Sequence, residues 1–193
     1  MGTQYYAGKW NDHDIVFILG DEALEIRFDG KVIAEKKITI LFSATMTAAI
    51  PLEPELTVFA HFEDHVCSCI VGKALETDYD KETKTFSAVY NGHKIEGNNK
   101  KLKGALLVDG VEVDKEDSGL RSFCILGTQA DDNGKRTMAV FEAAGLKTTC
   151  QFYAEAENVR MYACQKQGGE LIPLDRNGDD DFMLGFVLGM GVH

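Results

Sequence analysis

Leu24-Glu-Ile-Arg-Phe-Asp-Gly-Lys-Val-Ile-Ala-Glu-Lys-Lys37 sets the fold class. Leu24, Ile26 and Phe28 alternate with Glu25 and Arg27, the two-residue period of a strand with one buried face. Asp29-Gly30 follows. An Asx-Gly pair between apolar runs marks a hairpin, because both central residues of its tight turn need positive φ. Working outward, similar pairs recur at Asn91-Gly92, Asp109-Gly110, Asn133-Gly134, Gly168-Gly169 and Asn177-Gly178. Between them lie further alternating segments: Ile38, Ile40, Phe42; Leu56, Val58, Ala60, Phe62; Phe86, Ala88, Tyr90; and Val159, Met161, Ala163. Regular period-2 runs separated by turns predict an all-β sandwich or barrel with little helix. The best helical candidate is short, Met46 to Ile50, and Pro51 ends it.

Arg27 to Lys37 is similar to Leu107 to Asp117, 80 positions further on. Both read strand, Asp-Gly turn, strand, charged exit. This suggests two related halves; the alternative is that Asp-Gly hairpins recur by chance in β proteins. The expected organisation is two small antiparallel sandwich-like modules, residues 8–80 and 84–172, joined by the polar run Thr77 to Thr85. An apolar C-terminal extension, 173–193, is expected to pack on the second module. The expected core includes Phe17, Ile26, Phe28, Val58, Phe62, Phe86, Phe123, Ile125, Val140, Phe152 and Met161.

Composition narrows the class of work. With 193 residues, 45% of them hydrophobic, the chain can bury a core and does not read as disordered. Twenty Lys+Arg against 31 Asp+Glu give a net charge of −11, which argues against nucleic acid or an anionic membrane as the main partner. Met1 to Trp10 lack the apolar stretch of a signal peptide. The longest apolar run, Phe182 to Val192, is far short of the ~20 residues that span a bilayer. Five cysteines, an odd number without a secretion signal, read as reduced thiols in a cytoplasmic protein.

His61, His65, Cys67 and Cys69 are zinc-type ligands close in sequence. If Glu63-Asp64 forms a two-residue turn, Phe62 pairs with His65, Ala60 with Cys67 and Val58 with Cys69. Cross-strand partners share a face. Cys67 and Cys69 then lie on the apolar face and His61 on the opposite one, whereas a tetrahedral site needs convergence. These cysteines read as core, and no metal is expected. Asp175-Arg-Asn-Gly-Asp-Asp-Asp181 opens like a calcium loop but has Asp180 where the loop wants Gly and Phe186 where it wants a bidentate Glu. It reads as a solvated acidic turn. No nucleophile elbow and no phosphate-binding glycine loop occurs, so no catalytic residue and no cofactor is expected. The tail carrying Phe182, Leu184, Phe186 and Leu188 has two readings. It packs back as a last strand or cover, or it is an interaction strand that completes a partner's sheet edge.

Several stretches, taken in order, resemble the Fas apoptotic inhibitory molecule family. They are Lys9-Trp10-Asn-Asp12, Ile15-Val-Phe17, Leu24 to Lys31 with its Phe-Asp-Gly-Lys turn, Val71-Gly-Lys-Ala-Leu75, Val108-Asp-Gly110 and Phe123-Cys-Ile-Leu-Gly127. The strands near Met138 to Phe141 and Thr149 to Ala154 follow in the family's order, so the resemblance spans roughly residues 9–165. It implies a two-domain all-β protein of the cytosol that works by protein–protein interaction, in regulating apoptosis or protecting against aggregation, without catalytic or metal residues. A second resemblance is to the lipocalins, through Tyr6-Ala-Gly-Lys-Trp10 and Thr77-Asp-Tyr79. It implies a single barrel around a small apolar ligand. A third reading is a structural subunit, with the tail as the joint of a homo-oligomer.

Overall fold

The computed structural model describes residues 2–38, 43–100, 103–116, 123–144, 146–174 and 186–187. Eighteen strands fall within them. They are β1 (Gln4–Trp10), β2 (His13–Leu19), β3 (Ala23–Phe28), β4 (Lys31–Lys37), β5 (Ser43–Ala49) and β6 (Thr57–Glu63). Then follow β7 (Val66–Ala74), β8 (Asp78–Asp80), β9 (Thr85–Tyr90), β10 (His93–Lys100), β11 (Lys103–Val108) and β12 (Val111–Glu116). The last are β13 (Phe123–Gly127), β14 (Arg136–Ala144), β15 (Lys147–Val159), β16 (Tyr162–Gln167), β17 (Glu170–Pro173) and β18 (Phe186–Val187). The described residues contain no helix, so none that could cross a membrane. The protein is all-β and sandwich-like. Its antiparallel sheets are open, not the closed barrel that the lipocalin resemblance implies. Met46 to Ile50, the helical candidate, lies mostly in β5: Ala44, Met46 and Ala48 alternate inward as a strand requires.

The chain divides into two compact units, residues 1–71 with 158–193, and residues 72–157. In the first unit, the sheet runs β18-β17-β16-β1-β2-β3-β4. Phe17, Ile26 and Tyr6 sit side by side on its inner face and pack with Met46, Val58, Phe62, Cys67 and Cys69 from β5, β6 and β7. In the second unit, the sheet runs β12-β11-β10-β9-β8. Phe86, Ile95 and Leu106 from it pack with Cys124, Leu126, Phe141 and Phe152 from β13, β14 and β15. Each is a two-layer sandwich with a filled core.

The boundaries fall inside β7 and β15, not in the polar run expected as a linker. Thr77 to Thr85 instead contains β8, which pairs with β9 through Tyr79 opposite Phe86. The C-terminal strands also depart from expectation. β16 pairs with β1, β17 with β16 and β18 with β17, so residues 162–173 and 186–187 extend the sheet of the first unit. Sequence order hid the β1–β16 pairing, which joins segments far apart in the chain, whereas β16 and β17 form a local hairpin at Gly168-Gly169. Of the expected core, Phe17, Ile26, Phe28, Val58, Phe62, Phe86, Val140 and Phe152 are buried and Met161 is half-buried. Phe123 and Ile125 are half-buried on the opposite face. In β13 the inward residues are Cys124 and Leu126, which lie over Gly104.

Gly97 fixes how tightly the second core closes. A Cβ there would come within 2.8 Å of Phe141 Cζ and 3.2 Å of Phe152 Cζ. Gly97→Ala should therefore lower stability by about 1–3 kcal/mol, the usual range for overpacking, read as a fall in the urea midpoint.

Candidate functional site

The duplication suggested by the Asp-Gly turns extends to side-chain chemistry. Asn11-Asp12 and Asn91-Gly92 are two-residue turns with positive φ throughout, 80 positions apart. Asp29-Gly30 and Asp109-Gly110 form a second such pair. Register shifts occur between Ile26/Arg27 and between Leu106/Leu107, again 80 apart. At each second turn the aspartate reaches back to the start of a neighbouring strand. Asp29 accepts the Asp14 N–H at 2.9 Å and lies 2.7 Å from His13 Nδ1, while its own N–H donates to the Asp14 carbonyl. Asp109 accepts the Lys94 N–H at 2.9 Å and lies 2.6 Å from His93 Nδ1. The His13 ring also stacks on Phe28, centroids 5.0 Å apart. Sequence reading missed both histidines. The signal was present as His followed sixteen residues later by Asp-Gly, twice, at the repeat offset. An imidazole and the carboxylate that orients it are two of the three members of a catalytic triad. Here each pair ties a turn to a strand end, which is a structural clamp.

The two units diverge on the outer faces of these sheets. In the first, Ala7, Val16, Ile18, Cys164 and Leu171 are buried and form a second apolar cluster, with Tyr5 and Tyr162 packed against it. Cross-strand register explains the grouping: Tyr5 opposes Ile18 and Cys164, and Ala7 opposes Val16 and Tyr162. Arg27 and Glu25 continue the face and form an ion pair at 2.8 Å. In the second unit the corresponding positions are Thr85, Ser87, Glu96 and Asn98. An open cleft of about 610 Å³ lies in the first unit, lined in part by Tyr5, Tyr6, His65, Cys164, Lys166 and Leu174.

The remaining candidates separate by face. The turn after β6 is Asp64-His65, with φ of 50° and 65°, not Glu63-Asp64. Moving a two-residue turn by one position moves each cross-strand partner by two, so the faces do not invert. Cys67 and Cys69 pack in the first core with Val58, Ala60 and Phe62. His61 lies 2.7 Å from Thr45 Oγ1 through its Nδ1, and the His65 ring meets Phe62 edge-on. The structure thus brings the two cysteines together and not the histidines. Burial pushes the Cys69 thiol up to about 12 and that of Cys67 well above its ordinary value, the latter helped by neighbouring Cys69. Burial also raises Cys124, to about 12, and Cys164, to about 11. The acidic run Asp175 to Asp181, and Phe182, Leu184 and Leu188 of the tail, lie outside the described residues; Phe186 is described only as the backbone partner of Leu171. No family model matches the chain, and no curated protein or solved structure does either.

Two predictions follow from these side chains. All five cysteines are buried and free, so a thiol reagent at neutral pH should label the native chain slowly and all five sites rapidly in denaturant. The second concerns acid. Burial raises the Asp29 carboxyl, but the Asp14 N–H, the His13 contact and the charge of Lys9 together hold it below its ordinary 3.8. His93 and the Lys94 N–H hold Asp109 below the same value. A carboxylate depressed in the folded state contributes stability that is complete above its unfolded pKa and lost as pH falls through the folded one. The urea midpoint should fall below about pH 4, and less steeply in an Asp29→Asn/Asp109→Asn variant.

Proposed function

We propose that the chain is a non-enzymatic protein–protein interaction protein that binds extended or partly unfolded polypeptide through apolar sheet surface. The observation that carries this reading is the outer face of the first unit's large sheet. Tyr5, Ala7, Val16 and Ile18 stand there where the second unit has Thr85, Ser87, Glu96 and Asn98. The second unit folds with a polar layer at these positions, so the fold itself does not require the apolar one. Ala7, Val16 and Ile18 are buried within the chain itself, so the surface open to a partner is the margin of this layer, where Tyr5 and Tyr162 are only half-buried. The apolar tail residues Phe182, Leu184 and Leu188 are the second element of this reading, as a segment that engages a partner, while Phe186 pairs with Leu171 within the chain. The resemblance to the Fas apoptotic inhibitory molecule family implies either regulation of apoptosis or protection against aggregation, and an apolar sheet face fits the second.

The test is light scattering from a heat-denatured client enzyme. An equimolar amount of the full chain should lower the scattering, and a chain ending at residue 174 should lower it less while keeping its β-rich circular dichroism. Scattering that the full chain leaves unchanged would contradict the reading. A small apolar ligand is the second reading, favoured by the cleft beside Tyr5 and Leu174; it calls instead for a compound whose binding raises the unfolding temperature.

A further inference from the structure

Strand β5 is an edge of its sheet; β4 runs close to it, as β12 does to β13, without hydrogen-bonding to it as a sheet neighbour, and β5 lacks the charges, bulges or shortness that mark the other edges among the described residues. β4 exposes Lys31, Lys36 and Lys37 and carries the register shift against β3. β12 carries Glu112, Asp114 and Glu116 and a shift against β11. β8 is three residues long with aspartates at both ends. β18 has two residues, and β13 has five, with the N–H of Gly127 already donated to Asp114. β5 has seven residues, Ser-Ala-Thr-Met-Thr-Ala-Ala, none ionisable, in unbroken register with β6 from Ser43 to Ala49.

Five of its seven residues form a palindrome. Ala44-Thr-Met-Thr-Ala48 reads the same in both directions. We propose that β5 pairs antiparallel with β5 of a second copy of this chain, about a two-fold axis through Met46. In that arrangement Met46 opposes Met46, Thr45 opposes Thr47, Ala44 opposes Ala48 and Ser43 opposes Ala49. Isologous contact requires a self-complementary surface, and a palindromic strand supplies one. The pairing sets no ionised group against its like across the seam, and Thr–Thr pairs are favourable cross-strand neighbours. Ala44, Met46 and Ala48 already face the core, so the two sheets continue with their inner faces on one side. Each chain carries a charge of −11, so the contact is opposed by long-range repulsion and strengthened by salt. This surface is separate from the apolar outer face, so failure here leaves the binding of other polypeptides standing, and the reverse also holds.

Sedimentation of the full chain over a concentration series is expected to give a monomer–dimer equilibrium that tightens as salt is added. Thr47 is exposed, so Thr47→Lys should leave circular dichroism unchanged and weaken the dimer by at least about tenfold, or roughly 1.4 kcal/mol. Mixing a Ser43→Cys chain with an Ala49→Cys chain under mild oxidant should yield a disulfide-linked dimer, and Ser43→Cys alone should not. A chain that stays monomeric throughout, a dimer indifferent to Thr47→Lys, or a cross-link formed equally by Ser43→Cys alone would overturn the proposal.

Discussion

Register is the constraint on which both sandwiches depend, and in each a single carboxylate helps to hold it. A strand that slips by one residue turns its whole apolar row to the wrong face. Asp29 and Asp109 oppose such a slip at equivalent places. Each sits in a turn whose residues both need positive φ, and each ties that turn to the backbone of an earlier strand at 2.9 Å, with a histidine at its second oxygen. The clamp fixes β2 against the β3–β4 turn in the first unit and β10 against the β11–β12 turn in the second. From there the alternation of Ile15, Phe17 and Leu19, or of Ile95 alone beside Gly97, follows. The two cores are then filled differently. Phe17 occupies in the first unit the place that Gly97 leaves open in the second, where Phe141 and Phe152 close over it.

Duplication makes the molecule its own control. Features shared by the two units, the clamps, the turns and the bulges, are what this β architecture requires. Features that differ are free of that requirement. The apolar layer of Tyr5, Ala7, Val16 and Ile18 belongs to the second kind, as does the contrast between the lysines of β4 and the acidic side chains of β12. Functional surfaces are to be sought among such differences, which is why the interaction reading rests on the outer face and not on the clamps.

Much of the fold was legible in the sequence, for physical reasons. Asp29-Gly30, Asn91-Gly92 and Asp109-Gly110 announce their turns because glycine adopts positive φ without strain, and the alternation beside them gives the facing. Asn11-Asp12 and Asp64-His65 make turns of the same sign without glycine, so no such signal marks them. Phe123-Cys-Ile-Leu126 is apolar at every position, and alternation cannot then say which pair faces inward; in the fold Cys124 and Leu126 do. The return of β16 to β1 is a long-range pairing that no local pattern encodes, and the β16–β17 hairpin is carried with it. The outer apolar face was hidden for the same reason, since Cys164 and Leu171 meet Tyr5 and Ala7 only after that return.

The central claim is that this chain works through polypeptide surfaces and not through a ligand held in a cavity. Native mass spectrometry of the protein, purified from cells without chelator, tests it most directly, because it reports bound metal, copurified small molecule and subunit number together. The account predicts the mass of the bare chain and of its dimer. A stoichiometric adduct of a metal ion or a small apolar molecule would contradict it.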